Sequence, residues 1–152
     1  MSNVFNQFKT RSNADKGAEI HIKCADGSLA YADDDDKKLK PIKIKVLGGD
    51  SSVNMELAAK ELHDREKVKR ESDKKSKGEL LSVEEIQEAM LKTIDSEVEY
   101  LVKMVVAWEN IEIDGKKLDC TPDNVRLCMG TYDEIRSQTI LFIKNKVNFI
   151  KS

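Results

Sequence analysis

The stretch around the only tryptophan constrains this fold more than any other part of the chain. Residues 105–111 are largely apolar, and Trp108 stands within them as the single tryptophan among 152 residues. Asp114-Gly115-Lys116-Lys117-Leu118 and Thr121-Pro122-Asp123-Asn124-Val125 follow. The pattern predicts an apolar helix that ends near Trp108. A small hairpin-like crossover comes next, with Asp114-Gly115 as its tight turn and Ile111, Ile113 and Leu118 beside it. A new helix then opens with Thr121 as its cap and Pro122 at the first position, where a missing N–H costs nothing. A large side chain at such a junction sets the angle between the two helices, and so the shape of the C-terminal half.

The rest of that half follows the same logic. Ser82-Val83-Glu84-Glu85 is a capping box, in which serine hydroxyl and glutamate carboxylate satisfy exposed backbone donors. Ile86, Met90, Ile94, Leu101 and Val105 fall at helical spacing, with Val83, Val98 and Val102 beside them, which predicts a helix of roughly 25 residues. Over residues 101–107 it is apolar nearly all round, so burial on more than one side is expected. Val125 and Leu127-Cys128-Met129 give the Thr-Pro helix an apolar side, and Gly130 is expected to stop it. Thr131-Tyr132-Asp133-Glu134 reads as a second capping box. The last helix should carry Ile135, Thr139, Phe142, Ile143 and Val147 on one side and end near Asn148-Phe149.

Residues 1–17 are polar and read as a flexible arm. Ala18, Ile20, Ile22 and Cys24 alternate with Glu19, His21 and Lys23, the period of a strand with one buried face. Asp26-Gly27 marks a turn, and residues 29–31 begin a return strand. Ile42, Ile44 and Val46 alternate with Lys43 and Lys45 as a second strand, which Gly48-Gly49 ends. Asp50 or Ser51 can then cap a helix. Residues 52–76 are helical but poorly amphipathic: past Leu62 only Val68 is apolar before Leu80. The alternating charges of residues 64–77 suit a solvent-exposed helix that runs into a linker near residues 76–78. The expected fold class is α+β, in four parts. These are an N-terminal arm over residues 1–17, a β-ribbon over 18–50, a charged helix and linker over 51–79, and a mainly α-helical domain over 80–151. The unpaired edges of a two-stranded ribbon leave pairing with a second copy open, so self-association is an alternative.

Several function classes find no support. The 26 basic and 28 acidic residues leave a net charge of -2, which argues against a dedicated nucleic-acid binder. No run of about 18 apolar residues exists to span a membrane, and the N-terminus lacks the apolar centre of a secretory signal, so a cytoplasmic protein is expected. The acidic run at residues 33–36 lacks the ligand spacing and glycine of a calcium loop and reads as solvated. Gly48-Gly49 lacks the other residues of a phosphate loop. Cys24, Cys120 and Cys128 match no zinc or redox spacing and read as small buried or half-buried thiols. His21 and His63 read as surface residues. Carboxylates are abundant, but catalytic pairs need burial to separate their pKa values. No catalytic, metal or cofactor residue is assigned, and a non-enzymatic protein is expected.

Two blocks carry a family resemblance. The first is Pro41-Ile42-Lys43-Ile44-Lys45-Val46-Leu47-Gly48-Gly49-Asp50-Ser51. The second runs through Trp108-Glu109-Asn110-Ile111, Asp114-Gly115-Lys116, Thr121-Pro122-Asp123-Asn124-Val125 and Ile135-Arg136-Ser137-Gln138 to Phe142-Ile143 and Asn148-Phe149. In order and spacing, over residues 18–150, the chain resembles the tail assembly chaperones of long-tailed bacteriophages. It departs from them at Asp119-Cys120, where an aromatic or proline is usual, at Glu134, where a tryptophan is usual, and in the acidic run at residues 33–36.

The resemblance implies a protein of the host cytoplasm, absent from the mature virion. It would bind the tape measure protein, a very long and largely helical chain, and keep it soluble while the tail tube polymerises. It also implies, in many phages, a minor frameshift-extended form through which the tail tube protein is engaged. Helix-in-groove binding is the usual way to shield an apolar helix. Leu101, Val105, Trp108 and Ile111 at the apolar helix end, with Phe142 on the last helix, are therefore the candidate partner contacts. The bland reading makes each of them core. A competing reading is a structural virion component, such as a head–tail connector or tail completion protein, which would stay in the particle.

Overall fold

The computed structural model describes residues 4–32, 40–72 and 82–150. The acidic run at residues 33–36 and the linker at residues 76–78 lie outside them. The fold is α+β. Helix α1 (Thr10–Lys16) leads into strands β1 (Ala18–His21) and β2 (Lys43–Val46), followed by helices α2 (Ser52–Ser72) and α3 (Val83–Met104). Strand β3 (Val105–Glu109), a short hairpin of β4 (Glu112–Ile113) and β5 (Lys116–Lys117), and helices α4 (Pro122–Thr131) and α5 (Asp133–Lys144) complete the chain. Short 3-10 turns lie at Val4–Phe8 and Lys146–Phe149.

The alternating segments form strands as expected. β1 and β2 pair antiparallel with Ile20 opposite Ile44. Ile44 and Val46 point into the core while Lys45 stays exposed. The return of residues 29–31 consists of isolated bridges, Lys23 with Leu29 and Tyr31 with Pro41. The Ala30 N–H donates to the Ile22 carbonyl at 2.8 Å.

Residues 105–109 are strand, not the end of a helix. α3 stops at Met104, and β3 pairs antiparallel with the far side of β2, with Trp108 opposite Ile44. β2 thus becomes the central strand of three. Two causes combine. Val105 and Val106 are β-branched neighbours, which suit a pleated strand better than a helix. In addition, β2 would otherwise leave a row of backbone donors and acceptors without partners beside the core. An apolar run of this length fits either structure by pattern alone.

β3 also joins what the sequence divides. Ile22, Ile44 and Val46 share one core with Leu101, Met104, Val125, Met129, Ile143 and Phe149.

The expected flexible arm is ordered over residues 4–16. Ala14 on α1 is buried, and its carbonyl accepts from the Gly48 N–H at 3.0 Å. A Cβ on Gly48 would lie 2.7 Å from the Ala14 Cβ, so glycine is required for this contact. The Asp15 carboxylate accepts from the Ser52 N–H at 2.7 Å and from its hydroxyl at 3.0 Å, tying α1 to the start of α2. Ser51 caps α2 by accepting from the Asn54 N–H.

Asp114 and Gly115 have φ of 52° and 77°, the two positive values of a type I′ hairpin turn. Thr121 accepts from the Asn124 N–H, with Pro122 at the first position of α4. The second capping box does not form. Thr131 is the last residue of α4, and Tyr132, which precedes α5, makes no side-chain cap. α5 ends at Lys144, and the 3-10 turn buries Phe149 while Val147 faces solvent. Val147 therefore does not continue the buried face of Ile143.

Candidate protein-binding surface

α3 is one amphipathic helix with two environments. Its inner half packs Val98, Leu101 and Met104 into the core. Successive residues advance about 100° round a helix, so Val83, Ile86, Met90 and Ile94 extend that same face outward. There no described residue covers it. Every residue from 82 to 93 is exposed, with Val83 at 72%, Ile86 at 46%, and Met90 and Leu91 at 61%.

The described side chains of α2 do not supply the cover. Its residues 58–66 are all exposed, Leu62 among them. The two helices are tied near the core, where the Tyr100 hydroxyl donates to Asn54 Oδ1 at 2.6 Å and Val53, Leu57 and Ile94 pack against it.

The outer half starts cleanly and is acidic. Ser82 accepts from the Glu85 N–H at 3.1 Å, and Glu84 and Glu85 in the first turn suit the positive end of the helix dipole. Between residues 82 and 98 lie the acids Glu84, Glu85, Glu88, Asp95 and Glu97 and one base, Lys92. Glu84, Glu88 and Asp95 recur at helical spacing and form a ridge along one flank of the apolar stripe. The other flank carries Ala89, Thr93 and Ser96, all small.

The five candidate contacts do not form a groove. Leu101, Val105 and Ile111 are core residues, closed to solvent. Trp108 is half-buried on β3, and its Nε1–H donates to the Leu118 carbonyl at 2.9 Å, which fastens the β4–β5 region to the sheet. Phe142 is half-buried, its ring 5.6 Å from that of Phe149. Most of the apolar character at residues 101–107 serves packing between sheet and helices, through Leu101, Met104 and Val105, while Val106 and Ala107 on β3 stay exposed. The residues that do face outward, Val83, Ile86 and Met90, carried a legible signal: the preceding helix has too few apolar residues past Leu62 to cover them.

Polar groups elsewhere are engaged structurally. Arg136 is buried. Its Nη1 donates to the Met129 carbonyl at 2.9 Å and to Asp133 at 2.7 Å, and its Nε to Glu97 at 3.2 Å. The Gln138 amide clamps the backbone of Lys23, accepting from its N–H and donating to its carbonyl. His21 is half-buried rather than a surface residue, with Nε2 2.9 Å from the Ala30 carbonyl oxygen and its ring edge-on to Tyr31. Burial pushes the Cys128 thiol up to about 12, with Cys120 adding to the shift, and raises Cys120 as well. Both are therefore thiols rather than nucleophilic thiolates at neutral pH.

Among the described residues, no group of three or more His, Cys, Asp or Glu could hold a metal ion, and no helix is long and apolar enough to cross a membrane. A cavity of about 240 Å³ lies between α1 and the C-terminal turn, lined by Phe8, Ala14, Gly49, Phe149 and Ile150 among others. It offers mainly apolar contact.

No protein-family model, curated protein or solved structure matches the chain.

Proposed function

We propose that the chain is an assembly chaperone of the kind found in long-tailed bacteriophages. It binds the tape measure protein in the host cytoplasm, keeps it soluble during tail tube polymerisation, and leaves before the tail is complete. The observation that carries this reading is the uncovered apolar stripe on the outer half of α3, a continuation of the face that packs the core. A long helical partner with apolar stripes self-associates unless another amphipathic helix shields it.

The magnitudes suit a transient complex. Fully burying one Val, Ile, Leu or Met side chain contributes roughly 1.5–3 kcal/mol. Val83, Ile86, Met90 and Leu91 together thus supply about 6–12 kcal/mol at most. Association costs on the order of 4–15 kcal/mol in lost freedom. The two ranges overlap, so the stripe by itself leaves little or no surplus, which suits a chaperone that must depart.

The test is co-expression with the tape measure protein of the same genome, followed by affinity pull-down and sizing. The long partner becomes soluble and co-purifies only when this chain is present, and mass spectrometry of purified virions finds this chain absent or in traces. A partner that stays insoluble and unbound beside a folded chain overturns the reading. Stoichiometric presence in virions would make the chain a structural component instead.

A further inference from the structure

We infer that the segment held on α3 is a basic amphipathic helix, with its apolar side on Val83, Ile86 and Met90 and its lysines or arginines over Glu84, Glu88 and Asp95. The inference rests on the chaperone reading for the partner's identity, but the surface itself specifies the chemistry. Three observations converge.

The stripe is helical in spacing and continues the core face of α3, so it takes a helix in ridge-and-groove fashion. One flank is a ridge of carboxylates with Lys92 as the only base between residues 82 and 98. None of the ridge residues Glu84, Glu88 and Asp95 has an ion-pair partner among the salt bridges of the described residues, whereas Glu97 and Glu99, nearer the core, are paired with Arg136 and Arg126. Among the described residues the ridge therefore presents unpaired carboxylates beside an apolar surface, and charge complementarity of this sort selects partner and register.

A second copy is a poor occupant. In an antiparallel pair it would set one carboxylate ridge against the other, and like charges in juxtaposition are unfavourable. The opposite flank, with Ala89, Thr93 and Ser96, lets a partner backbone approach closely.

The experiment uses the full chain and two synthetic helical peptides of about 20 residues, roughly 30 Å long. Both carry the same leucine stripe. One is flanked by lysine and arginine, the other by glutamate. Binding is followed by fluorescence anisotropy at low and high salt, with folding of each variant checked by circular dichroism. The basic peptide binds at least about tenfold more tightly than the acidic one, and its affinity falls with salt. The triple change Glu84→Lys, Glu88→Lys, Asp95→Lys inverts the preference. The double change Ile86→Glu, Met90→Glu abolishes binding of both peptides. All these residues are exposed, so the fold is retained.

Equal binding of the two peptides, no binding of either, or binding indifferent to the Ile86 and Met90 changes overturns the inference. So does a dimer of the free chain that Met90→Glu dissolves, since a second copy then occupies the stripe. Solubilisation of the tape measure protein is scored in parallel. If the charge-reversed chain still rescues it as well as the native one, the chaperone reading stands and the basic-helix inference falls. If the peptides behave as expected while the tape measure protein stays insoluble, the basic-helix surface stands and the chaperone reading falls.

Discussion

The inner and outer halves of α3 share one helix and one apolar face but have opposite fates. Inside, Val98, Leu101 and Met104 meet the sheet and the C-terminal helices. Outside, Val83, Ile86 and Met90 meet water. Helical periodicity states that a face is to be covered. What covers it depends on neighbours, and the described side chains of α2 at residues 58–66 all face solvent. An isolated helix shorter than about 12–15 residues is marginal in water. The outer half persists because it propagates from the anchored inner half and begins on the Ser82 cap. The difference between the halves separates residues that hold the fold from residues free to act.

The sharpest way to break this comparison is to truncate one side chain in each half. Leu101→Ala should cost about 3–4 kcal/mol, because it opens a cavity in a closed core. Met90→Ala should change stability by no more than about 0.5 kcal/mol, as for other exposed positions. Chemical denaturation measures both, and equal losses would erase the distinction.

Trp108→Ala comes next. It removes a half-buried ring and the tie to Leu118, so about 3 kcal/mol should be lost. Trp108→Phe keeps most of the ring and loses chiefly the hydrogen bond, about 1 kcal/mol. Melting curves for both that overlay the native one would contradict the strand assignment of Trp108.

Arg136 sharpens the boundary itself, since its partner Glu97 lies just outside Val98 on α3. Arg136→Met leaves the Met129 carbonyl without this donor and should cost about 1–3 kcal/mol. Hydrogen exchange should show the loss centred on the junction of α3 with α5, and a loss confined to α5 would deny the clamp.

The smallest effect concerns Glu99. Its hydrogen bond with Arg126 holds the carboxyl below its ordinary value of 4.5. A carboxylate with a lowered folded pKa contributes stability that is present above the unfolded value and is lost as pH falls through the folded value. Glu99→Gln should therefore flatten stability slightly between pH near 4.5 and more acid conditions and leave its pH dependence above that unchanged. An identical acid limb in both proteins would show that the pair is idle.

Much of this architecture is legible in the chain. Alternation marks β1 and β2, Ser82 marks the start of α3, Asp114-Gly115 the hairpin turn and Thr121-Pro122 the start of α4. β3 was hidden because a short apolar run suits helix and strand alike, and the free edge of β2, a tertiary fact, decided between them. Ordering of residues 4–16 was hidden because it rests on single contacts, Ala14 on Gly48 and Asp15 on Ser52, with no periodicity to announce them. The interaction stripe was visible as spacing at Val83, Ile86 and Met90. Its exposure was legible only indirectly, in the scarcity of apolar residues past Leu62 in the preceding helix, because cover is supplied by other elements. Leu101, Val105 and Ile111 looked adhesive for the same reason that they are core: apolar surface on every side can be packed on every side.

The most direct measurement is amide hydrogen exchange along α3, in the free chain and in its complex with the tape measure protein. Amides of residues 98–104 should be protected to the level of global unfolding in both states. Those of residues 86–93 should exchange quickly in the free chain and become protected in the complex. Strong protection of the outer half in the free chain, or exchange there that the partner leaves unchanged, would contradict the central claim that this face of α3 is held open for a partner.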